Sequence, residues 1–310
     1  MSLHSFLEDV TEANFNEVSY LAANSDVAAA GVPARLHYEK FGKFESRKQL
    51  VSSPPDEYWK SRYAHFRHIL QDPYGNDASG SFPLIVGASV HDLMTYPRES
   101  ANNGNGIFEN EILNNPNGIY IDLGCGLRDR TFDNCLYVEV YNARCADLVV
   151  EPNCTYPIKD ASVDGIGCFA VLEHTRKPWL VVSEMRRIVK PGGKVFIDWP
   201  FLQPVHGYPS HYFNATREGL SSLFTDNGFS IISCDTLPHQ TVAHTVHWIL
   251  DVMWRRLPYG KIRRQFEKMT VKDLIALDRN GKTWGQFIAA LDDKAKEELA
   301  CGNTLVASKL

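Results

Sequence analysis

The stretch 118–126 constrains the fold of this chain more than any other. Three apolar residues lead to Asp122, and Gly124 and Gly126 then stand one residue apart. This pattern predicts a buried strand that ends in a glycine turn. At the carboxyl end of a parallel strand, the amide N–H groups of such a turn face an open crevice, where an anionic or zwitterionic ligand can bind. Taken alone, the stretch also fits an ordinary strand followed by a loop.

Apolar strand candidates alternate with turns from Gly118 onward. They are 119–123, 136–140, 146–150, 165–170, 194–199 and 229–234, with 304–308 as a seventh. A helix is predicted over 178–189. This alternation predicts an α/β fold with a doubly wound, mostly parallel seven-stranded sheet. The segments 127–135 and 141–145 are too short for full crossover helices, so we expect a stunted helix after the glycine turn and none in the second crossover.

Composition excludes some classes of protein. The 310 residues carry a formal net charge of −5, with a sequence pI near 6.1, so nucleic acid is not expected as a partner. The seven cysteines are odd in number and form no Cys-x-x-Cys pair, which favours reduced thiols and a cytoplasmic location. No apolar run is long enough to cross a membrane, and the first residues do not read as a signal peptide.

The ligand of the glycine turn can be narrowed by elimination. A dinucleotide site needs a third glycine where Asp129 stands, and no Gly-Lys-Ser or Gly-Lys-Thr of a phosphate-binding loop occurs. A second acid, Glu139, ends the next predicted strand and is placed to accept hydrogen bonds from both hydroxyls of a ribose. The pattern therefore favours a nucleoside without a pyrophosphate. A surface carboxylate is the alternative for Glu139.

Four motifs resemble one enzyme family. The segments 121–126, 161–166, 171–174 and 184–193 are similar, in order, to motifs of class I S-adenosylmethionine-dependent methyltransferases of the type 11 group, and in particular to members from bacterial polysaccharide loci. The resemblance implies S-adenosylmethionine as the cofactor. It implies a binding site made of Asp122 at the methionyl end, Gly124, Cys125 and Gly126 in the turn, Glu139 at the ribose, Val150 and Glu151 at the adenine, and Val171. Pro152 departs from the family pattern, because it has no N–H to offer the adenine.

A histidine-rich segment, 200–216, follows the fifth predicted strand. Methyl transfer to an oxygen needs an aligned acceptor and a base for its proton, and His206 and His211 are candidates for that base. Glu173 is a third catalytic candidate. The substrate-binding candidates are His174, Tyr208 and Tyr212. No metal site is expected, because the histidines lack cysteine or acidic partners at usable spacing. A structural role is the alternative for Glu173 and His174, and a hydrogen bond in the pocket wall is the alternative for His206 and His211.

The domain prediction has three parts. Residues 1–50 form a helical accessory module, 51–105 a linker helix and loops, and 106–310 a methyltransferase domain with a helical insertion at about 241–299. The module resembles one found at the ends of glycosyltransferases and methyltransferases of polysaccharide loci, which implies docking to glycan-assembly enzymes.

The predicted function is O-methylation of a sugar or glycan-like acceptor. A small-metabolite methyltransferase and a non-catalytic S-adenosylmethionine-binding scaffold remain as alternatives. A further alternative is an RNA methyltransferase that uses the basic cluster at 254–268, which the acidic overall charge argues against.

Overall fold

A computed structural model describes residues 7–51, 54–72, 74–86, 105–126, 128, 130–152, 154–207, 210–278 and 280–299. The chain forms two compact units. The first contains Met1–Trp199 and Leu223–Phe229, and the second contains Pro200–Ser222 and Ser230–Leu310. The division falls just after the last strand of the main sheet, so the histidine-rich segment belongs to the second unit.

The N-terminal part of the first unit is a small helical module with a two-stranded sheet. Strand β1 (Leu7–Asp9) pairs antiparallel with β2 (Lys48–Leu50), and helices α1 (Glu17–Ala23), α2 (Ser25–Ala29) and α3 (Ala34–His37) lie between them in sequence. A one-turn π-helix at Tyr38–Gly42 continues α3. The three helices were predicted from apolar spacing. The strand pair was not, because three-residue strands give too little alternation to be recognised.

Helix α4 (Asp56–Phe66) joins this module to the main sheet of the unit. This helix lies in the segment 51–105, where a linker helix was predicted, and a 3₁₀ helix at Arg67–Ile69 continues it. Its buried Arg62 forms a bidentate ion pair with Asp147, which is fully buried, with Nε to Oδ1 and Nη2 to Oδ2 distances of 2.6 Å. Since one charge removed from such a pair leaves the other uncompensated, the pair fixes α4 against the sheet.

The main sheet has six strands in the described residues, and each neighbouring pair is parallel. They are β3 (Leu84–Val86), β4 (Tyr120–Leu123), β5 (Cys135–Glu139), β6 (Leu148–Val150), β7 (Val163–Phe169) and β8 (Val189–Asp198), in the spatial order β3-β6-β5-β4-β7-β8. Helix α5 (Gly106–Asn114) precedes β4, and α6 (Pro178–Ile188) lies between β7 and β8. The doubly wound α/β prediction is confirmed. Strand β3 lies within 82–86, which the sequence marks as a short apolar strand candidate, although this segment was placed before the methyltransferase domain.

Five of the seven predicted strands are present, β3 is an additional strand, and the segments 229–234 and 304–308 are not among the six strands described. The segment 229–234 is not a strand, because the Phe229 N–H donates to the Phe224 carbonyl and continues the end of helix α7 (Arg217–Asp226). Ile232 is 84% exposed, and no strand of the described chain pairs with this segment. The segment 304–308 lies outside the described residues. The described parts of the first two crossovers contain no helix, so the stunted helix expected after the glycine turn does not form there.

The second unit is helical after Thr241. Helices α8 (Val242–Arg256), α9 (Lys261–Lys268), α10 (Val271–Ala276), α11 (Lys282–Ala290) and α12 (Asp293–Glu298) pack around a small apolar core that includes Leu257, Phe287 and Ala295. The helical character predicted for about 241–299 is therefore present. No helix within the described part of the chain is both long enough and apolar enough to cross a membrane.

Candidate functional site

The carboxyl edge of the main sheet gathers most of the predicted site residues. Strand β4 is the point at which the strand order reverses, because the chain runs outward through β5 and β6 and then returns to β7 on the other side. Ligands of open α/β sheets bind in the crevice outside the carboxyl ends of the strands at such a point. The residues that follow β4, β5 and β7 therefore form the candidate site.

The glycine turn after β4 is present, but its amide groups are used within the protein. The N–H groups of Gly124 and Cys125 both donate to the Val138 carbonyl, over 2.8 and 3.1 Å. The Gly126 N–H donates to Oε2 of Glu139 over 2.8 Å. The expectation that these amides face an open crevice is therefore wrong. Any ligand contact at this turn would therefore come from its shape and from the side chains around it.

Both positions of this turn require glycine, which has no side chain. Gly124 has φ +73° and Gly126 has φ +54°, in the left-handed region that favours glycine. A Cβ on Gly124 would lie 2.3 Å from Cγ2 of Val171, which follows β7. The close approach of Val171 confirms that the turn and the end of β7 form one edge.

Glu139 ends β5 and is 7% exposed. Its Oε1 accepts a hydrogen bond from the Val140 N–H over 2.7 Å, and its Oε2 accepts the one from Gly126. Burial raises the pKa of Glu139, and these two amides oppose the rise. The surface alternative for this residue is therefore wrong. The carboxylate holds the glycine turn in place, and contact with a ribose remains a prediction.

Asp122, the last acid before the turn, forms an ion pair with a residue that the sequence did not single out. Arg128 donates from Nε to Oδ2 over 2.6 Å and from Nη2 to Oδ1 over 2.9 Å. Both side chains are almost fully buried. The sequence did contain a signal for this ion pair, because Arg128, two residues after Gly126, is the cation closest in sequence to Asp122.

Cys125 lies between the two glycines of the turn, and its side chain is fully buried. Its Sγ is 3.7 Å from Sγ of Cys145. The Cys145 thiol also donates to the Gly126 carbonyl over 3.1 Å. Burial raises the pKa of the Cys125 thiol well above its usual value. The buried thiols of Cys125 and Cys145 thus pack together at the turn.

Val150 and Glu151 stand at the end of β6. Val150 is buried and pairs with Val86 of β3. Glu151 is exposed, and its carbonyl accepts a hydrogen bond from the Cys154 N–H over 3.2 Å. Both residues lie at the carboxyl edge where an adenine was predicted, and that contact remains a prediction.

Glu173 is the most unusual ionisable group at this edge. It lies on the 3₁₀ turn Leu172–His174 after β7, is fully buried, and neither carboxylate oxygen accepts a hydrogen bond from another described residue. Nε2 of His174 is 3.8 Å from Oε1. Burial raises the pKa of Glu173 to about 8, and the charge of Asp198 adds to the rise while the residue's own N–H opposes it. Most of this carboxyl group is protonated at pH 7.

Asp198 and Asn105 complete this part of the edge, and the sequence reading missed both. Asp198 ends β8, and its Oδ2 accepts a hydrogen bond from Nδ2 of Asn105 over 3.1 Å. Asn105 also caps α5 by accepting from the Ile107 N–H. The signal that could have revealed Asp198 is an acid at the end of a predicted strand, as for Asp122 and Glu139.

Ala170, between β7 and the turn that carries Glu173, has φ +54°. A non-glycine residue with such a backbone is uncommon and costs conformational energy, and such positions cluster at binding and active sites. The Ala170 N–H donates to the Asp198 carbonyl over 3.0 Å, which holds the strained residue in place.

The histidine-rich segment lies in the second unit and forms a connected loop. His211 accepts the His206 N–H at Nδ1 over 3.3 Å and contacts Oδ1 of Asn214 through Nε2 over 2.6 Å. Nδ1 of His206 contacts the Pro204 carbonyl over 2.8 Å. Both ring nitrogens of His211 are thus used inside the loop, which favours its structural role over that of a base. Tyr212 is 43% exposed, and Tyr208 lies outside the described residues.

Comparisons with known proteins agree with the motif reading over part of the chain. A family model described as a methyltransferase domain matches residues 127–197. An uncharacterized methyltransferase of Mycobacterium bovis is 38% identical over 65 residues, which is 20% of this chain and 26% of the relative. The chain therefore contains a methyltransferase-like domain, and it spans about a quarter of the length of that relative.

Solved structures match at a lower level. One is an S-adenosylmethionine dependent methyltransferase from Mesorhizobium loti, with 12% identity, a TM-score of 0.31, and coverage of 42% of this chain and 81% of that chain. Another is phosphoethanolamine N-methyltransferase 2 of Haemonchus contortus in complex with S-adenosyl-L-methionine, with 16% identity, a TM-score of 0.33, and coverage of 56% and 43%. Similarity at this level carries no argument about acceptor or mechanism.

Proposed function

We propose that the chain is an S-adenosylmethionine-dependent methyltransferase that methylates a hydroxyl group of a sugar or glycan-like acceptor. The match of residues 127–197 to a methyltransferase domain supports the reaction class. The observation that carries the proposal is Glu173, a buried carboxyl group at the carboxyl edge beside the glycine turn that accepts no hydrogen bond from any other described residue. A hydroxyl acceptor must lose a proton, and a base is most effective when its pKa is near the working pH.

The residues at the carboxyl edge fit S-adenosylmethionine. The described edge carries Asp122, Glu139, Glu173 and Asp198 as acids, and Arg128 forms an ion pair with Asp122. Carboxylates are acceptors for an ammonium group and for hydroxyls, both of which this cofactor carries. Asp122, Gly124, Gly126 and Glu139 would hold the cofactor, together with Cys125, Val150, Glu151 and Val171.

The chain's own residues then have distinct roles. When bound, S-adenosylmethionine supplies a methyl group on a positively charged sulfur. Glu173 would accept the proton that the acceptor hydroxyl loses. His174, within 3.8 Å of that carboxylate, orients it and contacts the acceptor. Val171, which approaches Gly124 closely, would help to exclude water from the reacting atoms.

The sugar or glycan-like acceptor is proposed from the resemblance to proteins of polysaccharide loci. The same resemblance is the basis for docking to glycan-assembly enzymes through the N-terminal module. His206 and His211 as alternative bases, and Tyr208 and Tyr212 as acceptor-binding residues, stay predictions from the sequence. A small-metabolite acceptor is the alternative. An amine acceptor would not need Glu173 as a base if it arrived unprotonated, so the nature of the acceptor atom decides between these roles.

A two-stage experiment tests the proposal. Calorimetry with S-adenosylhomocysteine first measures cofactor binding by the wild type and by Glu173→Gln. Methyl-labelled cofactor is then offered with sugars, nucleotide-linked sugars and matched amino sugars. We expect both proteins to bind the cofactor, and we expect the variant to transfer about 100-fold to 10,000-fold more slowly to hydroxyls.

Glu218→Gln is the matched control, since Glu218 is exposed on α7. Failure of the wild type to bind the cofactor would contradict the reaction class. Cofactor binding with transfer to amines alone, unaffected by Glu173→Gln, would contradict the hydroxyl acceptor and leave the reaction class standing.

A further inference from the structure

A basic and aromatic surface on the second unit is not used by the proposed reaction. Between Trp254 and Lys272 the sequence has seven basic residues and one acidic residue, although the whole chain has a net charge of −5. We define the basic face as the exposed side chains Lys261, Arg264, Lys268 and Lys272. No acidic side chain within the described residues forms an ion pair with any of these four. The positive charge is therefore concentrated and uncompensated.

Helix spacing places three of these cations together. Lys261, Arg264 and Lys268 stand three and seven residues apart on α9, which puts them on one side of the helix. The other side of α9 carries Phe266, which packs in the apolar core of the unit. Lys272 is exposed at the start of the next helix, α10. Cationic side chains thus point away from the core along two consecutive helices.

Apolar side chains are exposed beside the basic face. Tyr259, just before α9, is 90% exposed, and Val271 and Ile275 on α10 are 65% and 78% exposed. Val271 and Ile275 are four residues apart, so they form one apolar stripe on the outward side of α10. Both side chains are mostly exposed to solvent within the described part of the unit. A face that served only solubility would not need them.

The position of Tyr259 is fixed by a buried cation. The guanidinium of Arg263 lies 4.0 Å from the Tyr259 ring centroid and 5.5 Å from that of Trp254. Arg263 also donates to the carbonyls of Leu257 and Arg255, over 2.8 and 2.6 Å, and is 6% exposed. The connection between α8 and α9 therefore holds an exposed aromatic ring in a set place. Such pre-organisation lowers the entropy cost of contact with a partner.

We propose that this face, the four cations with Tyr259, Val271 and Ile275, docks the protein on an anionic lipid bilayer surface. Lys and Arg side chains are attracted to anionic headgroups, tyrosine favours the interfacial level, and aliphatic side chains enter the acyl boundary. The same cations would suit the phosphates of RNA, but the aliphatic stripe has no use on a phosphate backbone. This inference does not depend on the proposed reaction.

Vesicle co-sedimentation of the full chain tests the proposal. One vesicle set contains phosphatidylcholine alone, and the other also contains phosphatidylglycerol. We expect binding to the anionic set only, with affinity that falls as salt rises. The variant Lys261→Glu/Arg264→Glu/Lys268→Glu should bind about 100-fold more weakly, since each cation near an anionic surface contributes about a fivefold factor. Tyr259→Ser should weaken binding with little change in its salt dependence.

The matched control is Lys40→Glu/Lys60→Glu/Lys294→Glu, which makes the same change in net charge at exposed lysines elsewhere. Circular dichroism of each variant confirms its folding. Loss of binding in the control as well as in the test variant would overturn the proposal, because total charge would then be the cause. So would equal binding to both vesicle sets, no binding to either, or binding of a labelled structured RNA in place of anionic vesicles.

Discussion

Asp122 and Arg128 form a buried bidentate ion pair at the base of the glycine turn, with Nε to Oδ2 at 2.6 Å and Nη2 to Oδ1 at 2.9 Å. The pair links the end of β4 to the chain that follows Gly126. Because both side chains are 5% exposed, neither charge can be solvated if the other is removed. Asp122, which the motifs place at the cofactor, therefore has a structural role. Both of its carboxylate oxygens already accept hydrogen bonds from Arg128.

Arg128→Ala should lower the free energy of unfolding by about 3–5 kcal/mol, because it leaves the Asp122 carboxylate buried without its partner. Urea unfolding followed by fluorescence measures the change. Arg176→Ala, at an exposed arginine before α6, is the control and should change stability by less than about 0.5 kcal/mol. A double-mutant cycle with Asp122→Asn should show strong coupling. Additive losses would mean that the two residues stabilise the fold separately.

Gly124→Ala should abolish cofactor binding through a steric clash with Val171. The new Cβ would lie 2.3 Å from Cγ2 of Val171, and the φ of +73° adds backbone strain. Gly80→Ala is the matched control, since Gly80 has φ +60° with no atom within 4 Å of the added carbon. Calorimetry should show that Gly124→Ala/Val171→Ala recovers part of the lost affinity. A double variant as weak as Gly124→Ala would show that strain alone is responsible.

Glu139→Gln should destabilise the glycine turn by about 1–3 kcal/mol, because an amide nitrogen would replace one of the two oxygens that accept backbone N–H groups. Thermal unfolding measures this loss. Calorimetry with S-adenosylhomocysteine and with its 2′,3′-dideoxy analogue then separates the two roles of the residue. If Glu139 also binds the ribose, the variant loses more affinity for the hydroxylated ligand. Equal losses for both ligands would leave the residue with its structural role alone.

Stability should fall between pH 5 and pH 8 because of Glu173. Its pKa is raised to about 8, so the folded protein holds a proton that the unfolded chain has already lost, and folding is penalised as pH rises through this window. Above about pH 8 the penalty is constant. Glu173→Gln should remove it, and the stability difference between the two proteins should change by at most about 1.4 kcal/mol per pH unit. Urea unfolding at several pH values measures this difference.

The rate of transfer should change in the opposite direction. Ionised Glu173 is the proposed base, so transfer to a hydroxyl should increase with pH and level off above about pH 8. The Glu173→Gln variant should not show this increase in rate with pH. A wild-type rate that is flat from pH 6 to pH 9, with unchanged cofactor affinity, would remove Glu173 from the proton transfer.

Local patterns explain which parts of the fold were predictable. Strands β4 to β7 and helix α6 were found within a few residues of their bounds, because apolar runs and turn residues act within each segment. The segment 229–234 has the same apolar character but forms no strand. A strand needs a neighbour to receive its backbone hydrogen bonds, and that neighbour lies elsewhere in the chain.

The sequence by itself determined the order of strands and turns, the left-handed glycines after β4, and the acids at the ends of β4 and β5. These features depend on neighbouring residues and on backbone conformations that few side chains allow. Only the tertiary structure decided how the groups are used. It paired Asp122 with Arg128, turned Glu139 toward the amides of the glycine turn, and left Glu173 buried with no hydrogen bond from another described residue. Burial and ion pairing arise from packing between segments distant along the chain, and packing decides which carboxylates remain for chemistry.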